Sequence, residues 1–168
     1  MFVNRVDELA ALGNWWEQPG ARLGLVWGRR RVGKTALLET FARERQTVFH
    51  TGAGRPLEDE LRVLSRTAQA HLSSGLRDLV ERPFGDWSDA LEIMAGVARE
   101  RPLLLVLDEF PELVRVSPEL PSVLRAFWDR ARERTQLRIL ICGSAVRTME
   151  AAQEERAPLY GRIDLSLL

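Results

Sequence analysis

Apolar residues recur along this chain in two alternating kinds of run. Short, nearly unbroken stretches at Leu23–Trp27, Thr47–His50, Leu103–Leu107, Leu137–Cys142 and Ile163–Leu168 predict buried strands. Between them, apolar positions spaced by three or four predict helices: from Asn4 as N-cap to the Pro19-Gly20 stop, then Thr35–Arg45, Leu57–Leu72, Trp87–Arg99, Pro121–Arg134 and Ala145–Glu155. Val6, Leu9, Ala10, Leu12 and Trp16 mark the inner face of the first helix, and Leu37, Leu38 and Phe41 that of the second. Leu76–Arg82 carries no clear period. Strands alternating with helices predict a parallel α/β sheet covered on both faces.

The loop after the first strand changes the picture from fold to chemistry. Gly28-Arg29-Arg30-Arg31-Val32-Gly33-Lys34-Thr35 fits the spacing G-x-x-x-x-G-K-[ST]. The glycines allow a tight path that aims successive amide hydrogens at phosphate oxygens, and the helix that follows presents its positive end. Lys34 is placed to reach the β- and γ-phosphates, and Thr35 to set its hydroxyl on Mg²⁺. Arg29, Arg30 and Arg31 read either as solvated loop charges or as contacts to a neighbour across the nucleotide. The run Leu103–Leu107 then delivers Asp108 and Glu109 to the C-terminal end of a buried strand, where sheets of this kind bind ligands. Asp108 suits a magnesium ligand and Glu109 a base for an attacking water. A GTPase would place Asp-x-x-Gly here and Asn-Lys-x-Asp later. This chain has Asp108-Glu109-Phe110-Pro111 and no such later motif, which favours ATP as the substrate and hydrolysis as the reaction.

Composition narrows the partners. The chain has 168 residues, 45% hydrophobic and 29% charged, enough for one domain over residues 1–168 with a sizeable core. Twenty-four basic residues balance 24 acidic ones, so no overall charge draws nucleic acid or an anionic membrane. Among the basic residues Lys34 alone is lysine, which fits a demand for a compact ammonium at that position. The lone Cys142 excludes an internal disulfide and reads as core packing. The absence of an apolar leader or a membrane-length run sets the expectation of a cytoplasmic domain. His50 and His71 lack partners at metal spacing, so no metal beyond Mg²⁺ is expected.

With these motifs in place, the chain resembles the archaeal-type P-loop ATPase family, in the AAA+ and STAND neighbourhood. The resemblance is carried by Phe2-Val3-Asn4-Arg5-x-x-Glu8-Leu9, Trp27–Thr35, Leu107–Leu113, Ile141-Cys142-Gly143-Ser144 and Pro158-Leu159-Tyr160-Gly161-Arg162. It implies a three-layer α/β/α sandwich with a five-stranded parallel sheet in order 5-1-4-3-2. Ser144 would then lie near the γ-phosphate as a sensor, or serve only as a small turn residue. Arg162 would resemble an arginine finger acting on a neighbour's ATP, or be a surface arginine pairing with Asp164. Phe2 and Val3 would line the adenine pocket, or pack the helix entry. Family members continue into a helical lid and a winged-helix region, which these residues do not contain. The functions implied are an Mg²⁺-dependent ATPase that switches conformation or assembly in a larger protein, with ATP or ADP, further copies or a protein client as partners. The alternatives are a nucleotide-binding module with negligible turnover and a nucleic-acid-linked loader.

Overall fold

The computed structural model describes residues 5–29, 31–72, 77–144, 146–151 and 153–167. Its elements in chain order are α1 (Val6–Trp16), β1 (Arg22–Trp27), α2 (Lys34–Ala42), β2 (Thr47–Thr51), α3 (Leu57–His71), α4 (Trp87–Val97), β3 (Leu103–Asp108), α5 (Phe110–Val116), α6 (Leu120–Ala131), β4 (Leu137–Gly143), α7 (Val146–Ala151) and β5 (Leu165–Leu167). The strands form one parallel sheet in the order β2-β3-β4-β1-β5, the predicted 5-1-4-3-2 read from the other edge.

The period of two along a strand sorts its side chains between the two helical layers. Leu103, Leu105 and Leu107 pack with Leu64, Leu91, Met94 and Phe127, beneath α3, α4 and α6. Leu104 and Val106 face the other way, onto Leu12, Leu37, Leu38 and Phe41 of α1 and α2. Every residue of β3 and of β4 is buried, which is why their sequences run apolar without alternation. A Leu→Ala change at Leu104 or Leu105 should therefore cost about 2–5 kcal/mol.

A charged side chain also enters this interior from β4. Arg138 on β4 is 3% exposed and lies on the α1 side of the sheet. It donates to the carbonyls of Trp16, Gln18 and Gly20, at 2.7 Å for Gln18 and 2.6 Å for Gly20. The guanidinium thus satisfies carbonyls that the end of α1 leaves without helical partners.

The structure departs from the sequence reading mainly at element ends. Residues 43–45 leave the predicted helix as turns, and α7 ends at Ala151, where the reading carried it to Glu155. Helix α5 went unread: Pro111 sits in its first turn, and Phe110 and Leu113 supply its buried face. The predicted cap Asn4 lies outside the described residues, and Arg5 occupies the position before α1.

Candidate functional site

The site forms where β1, β3 and β4 end on the same edge of the sheet. Trp27 pairs with Gly143 and Leu107 with Ile141, so Gly28, Asp108 and Ser144 emerge side by side. β4 lies between β1 and β3, so Ser144 leaves the sheet between the phosphate-loop strand and the acid strand.

The loop from Gly28 follows a path that ordinary residues resist. Gly28 has φ 136°, Arg31 φ 65° and Gly33 φ 84°. At Gly33 a side chain would be strained by that φ, which is the physical demand behind the second fixed glycine. Left-handed residues spaced in this way shape a backbone concavity lined by amide hydrogens. Gly33 is the N-cap of α2, so the first amides of that helix, which have no intrahelical partners, open onto the loop. Lys34 is 9% exposed, and its Nζ donates to the carbonyls of Gly28 at 3.0 Å and Arg29 at 2.5 Å. The ammonium is folded over its own loop, held by weak neutral acceptors that a phosphate can replace.

Across the loop, the Thr35 hydroxyl donates to Asp108 Oδ2 at 3.0 Å. Asp108 is 3% exposed, and its Oδ1 accepts the Glu109 amide at 3.0 Å. The pair offers two hard oxygens on converging elements, the donor type that Mg²⁺ prefers when its remaining positions are water and phosphate. The residues present fit that ion. Cys142 lies beside them: burial, and then the Asp108 carboxylate, push its thiol well above the ordinary range. It stays a neutral neighbour of Asp108, a contact that its sequence reading as core packing missed.

Glu109 has φ 53° and ψ 44°, an uncommon conformation for a residue with a side chain, and it caps α5. The strand therefore breaks sharply after Asp108 and lifts Glu109 out of the sheet, half-buried at its rim. The neighbouring turn approaches closely. The Gly52 amide donates to the Asp108 carbonyl at 2.8 Å, and a Cβ on Gly52 would lie 2.9 Å from the Glu109 carbonyl oxygen. Only glycine fits there.

Further along β2, His50 and Glu60 form a wholly buried pair, His50 Nε2 to Glu60 Oε2 at 2.7 Å. Glu60 Oε1 accepts the amides of Ala53 at 2.9 Å and Arg55 at 3.2 Å. Burial works to raise the Glu60 carboxyl, but the Ala53, His50 and Arg55 hydrogen bonds outweigh it and hold the group below its ordinary range. Burial lowers the His50 imidazole against the pull of Glu60. The pair pins the β2–α3 loop, and no sequence spacing marked it.

Beside the phosphate loop a cleft of about 290 Å³ is lined by residues that include Arg5, Glu8, Trp27, Val32, Lys34 and Leu167. Its apolar walls and its opening at the sheet's C-terminal edge suit a planar base. Phe2 and Val3, read as adenine contacts, and Arg30 of the loop lie outside the described residues. Lys34, Thr35, Asp108 and Glu109 are brought together, with Ser144 leaving the sheet between β1, which leads into the loop, and β3. Arg162 is not among them. It stands before β5 at the opposite edge, donating to Asp129 through Nε at 2.8 Å and Nη2 at 2.7 Å. Its Nη1 donates to the Pro158 and Tyr160 carbonyls. Asp164 pairs instead with Arg22 and accepts from Trp15.

A parallel sheet in this order, with a phosphate-type loop after β1 and an acid pair after β3, defines a P-loop nucleotide-binding domain of the ATPase class. The chain matches the ATPase domain predominantly from Archaea over residues 2–168, and it belongs to that family. It is 27% identical over 163 residues to an uncharacterized protein of Methanocaldococcus jannaschii, covering 96% of this chain and 34% of that protein. It is 51% identical over 41 residues to an uncharacterized ATP-binding protein of the same organism, covering 24% of this chain and 70% of that one. Among solved structures it resembles a Walker-type ATPase of Pyrococcus abyssi, with TM-score 0.72, 23% identity, and 98% of this chain against 53% of that one. It also resembles the Orc2 protein of Aeropyrum pernix, solved in ADPNP and ADP complexes, with TM-score 0.69, 17% identity, and 99% against 47%. These structural likenesses concern the fold. The chain spans about a third of the first relative and about half of each structural neighbour. Among the described residues no helix is long and apolar enough to cross a membrane.

Proposed function

We propose that this domain binds ATP with Mg²⁺ in the cleft at the end of β1 and hydrolyses it, with the nucleotide state switching the conformation or assembly of a larger protein. The observation that carries the reading is the convergence of Lys34, Thr35 and Asp108 from two elements, with Thr35 and Asp108 already in contact. The loop amides and Lys34 hold the phosphates, and Thr35 with Asp108 holds the ion. Mg²⁺, when bound, neutralises phosphate charge as the terminal bond breaks. Glu109, raised from the sheet by its left-handed backbone, takes a proton from the attacking water. Ser144 stands at the strand end from which the terminal phosphate is sensed.

Arg162 serves a neighbouring copy in this reading, since its own loop lies across the sheet. That role requires its fork to Asp129 to open on assembly, and until then turnover is slow. Calorimetric titration with Mg-ATP, beside a phosphate-release assay, tests the proposal on the wild type and Lys34→Ala. Lys34→Ala should lose about 10- to 100-fold in affinity, the worth of a charge-assisted contact. Equal affinity in the two proteins overturns it.

A further inference from the structure

The sheet ends on β2, and β3 and β4 separate that edge from β1 and its phosphate loop. Among the described residues β2 pairs with β3 alone, so one side of its backbone has no strand beside it. Two hydrogen bonds fix which groups lie on that side. At the entry to the strand the Gln46 carbonyl accepts the Leu104 amide at 2.9 Å, and just past its end the Gly52 amide donates to the Asp108 carbonyl at 2.8 Å. In a parallel ladder, alternate residues of an edge strand turn both backbone groups toward the partner. Gln46, Val48, His50 and Gly52 therefore face β3, while Thr47, Phe49 and Thr51 aim their N–H and C=O groups outward. Such a row is a template for another extended chain.

A groove of about 680 Å³ borders this edge, and α2 and α3 both contribute to its lining. Val48 and His50 are buried on the α3 side of the sheet, whereas Thr47 and Phe49 are half-buried on the groove, with Phe49 packed on the α2 side. β2 contains neither proline nor glycine, and its Thr, Val and Phe residues favour an extended backbone. Positive charge gathers at one end. Arg43 and Arg45 line the groove where the chain enters β2, and neither forms an ion pair among the described residues. The Arg45 guanidinium lies 3.9 Å from the centre of the Phe41 ring, and its Nη1 donates to the Phe41 carbonyl at 2.6 Å. It is thereby held in one place before any ligand arrives. Glu39, one turn back on α2, is the acidic member of the lining, and His71 of α3 completes it.

We propose that the open edge of β2 is a docking site for an extended, acidic segment of a protein partner, which adds to the sheet as a further strand beside Thr47–Thr51. Main-chain bonds to Thr47, Phe49 and Thr51 supply the affinity, and alternate side chains supply the specificity. The period of two sets the pattern: an apolar side chain beside Phe49 and, two residues away on the same face, a carboxylate that meets Arg43 and Arg45. The β2 of a second copy does not supply that carboxylate, since Thr47–Thr51 contains no acid.

The test uses a short fluorescein-labelled peptide of alternating threonine and valine, read by fluorescence anisotropy against the whole chain. One aspartate replaces the valine before or after the central one, giving two versions that serve the two strand directions. One version should bind with a Kd of about 100 µM. Changing its aspartate to asparagine, or Arg43→Gln in the protein, should weaken it by about 10-fold. N-methylation separates strand pairing from a charge contact. Methylating the amides that face β2 should abolish binding, whereas methylating the alternate set should leave it within about 3-fold. Thr47→Pro removes one outward N–H and no bond to β3, so it should also abolish binding. No binding of either version at about 1 mM would overturn the proposal, and so would an equal loss from both methylated sets. A wild type that sediments as a dimer, and that Thr47→Pro converts to a monomer, would overturn it in favour of β2 edges pairing with each other. The methylated peptides are read on the wild type, so they decide the matter even where a variant fails to fold.

Discussion

Replacing Asp108 by asparagine separates the ion's role from the fold's. Asp108 is 3% exposed and accepts two hydrogen bonds, from the Thr35 hydroxyl and the Glu109 amide, each at 3.0 Å. The amide oxygen of Asn keeps the bond from Glu109. The Thr35 hydroxyl both donates and accepts, so it can turn to receive the new N–H. The hydrogen bonds survive and only the charge is lost. The free protein should melt within about 3 °C of the wild type, since 1 kcal/mol shifts a domain of this size by roughly 2–4 °C. Magnesium is another matter. Removing a carboxylate's supporting hydrogen bonds typically costs 10–100-fold in metal affinity, and removing the charged ligand itself should cost no less. Calorimetry with ATP, in Mg²⁺ and in chelator, reads both terms. Asp108→Asn should lose about 10–100-fold of the affinity that Mg²⁺ adds. ATP binding in chelator should be unchanged or tighter, because one negative charge has left the site. A magnesium-dependent gain equal to the wild type's would refute the assignment. A fall in melting temperature beyond about 6 °C would make Asp108 a structural strut instead.

Glu109→Gln should retain ATP but slow phosphate release by roughly 10²–10⁴-fold, and turnover at the wild-type rate would remove Glu109 as the base. Arg162→Ala should leave ATP affinity unchanged while lowering a specific activity that rises with protein concentration, and mixing it with Lys34→Ala should restore part of the rate; activity independent of concentration, with no rescue, would leave Arg162 as the clasp on Asp129. Glu60→Ala should destabilise the fold by about 3–5 kcal/mol in chemical denaturation, since it strips a buried acceptor from His50, Ala53 and Arg55. Acid should weaken the same place. The folded imidazole of His50 titrates below its ordinary 6.5, so the unfolded chain takes up the proton first and stability declines as pH falls through that value. Glu60 titrates below its ordinary 4.5 in the fold, so its contribution is whole above that pH and is lost as pH falls through the folded value. His50→Gln should flatten the loss between pH 7 and 5 in thermal melts, and an unchanged slope would contradict the buried-neutral histidine.

What was legible in the sequence is what is decided locally or by period. The phosphate loop was readable because its path needs glycine at fixed positions and a lysine beside them. The acids were readable because a run such as Leu103–Leu107 can end only at the edge of a sheet. The sheet order came from likeness to a family, and the strand pairings bear it out. The unread α5 shows the limit of periodicity, since seven residues hold too few turns for a pattern to stand out. Tertiary structure alone decided the pairings between distant residues: Arg138 on the carbonyls that end α1, Cys142 beside Asp108, His50 on Glu60, and Arg162 on Asp129, where the sequence suggested Asp164. The first three depend on which strands become neighbours, in what register, and on which face a side chain leaves the sheet; a single residue's shift in register would turn those strand side chains to the opposite face. The Arg162 pair depends on how α6 packs against the turn before β5, so in neither case could a local pattern have named the partners.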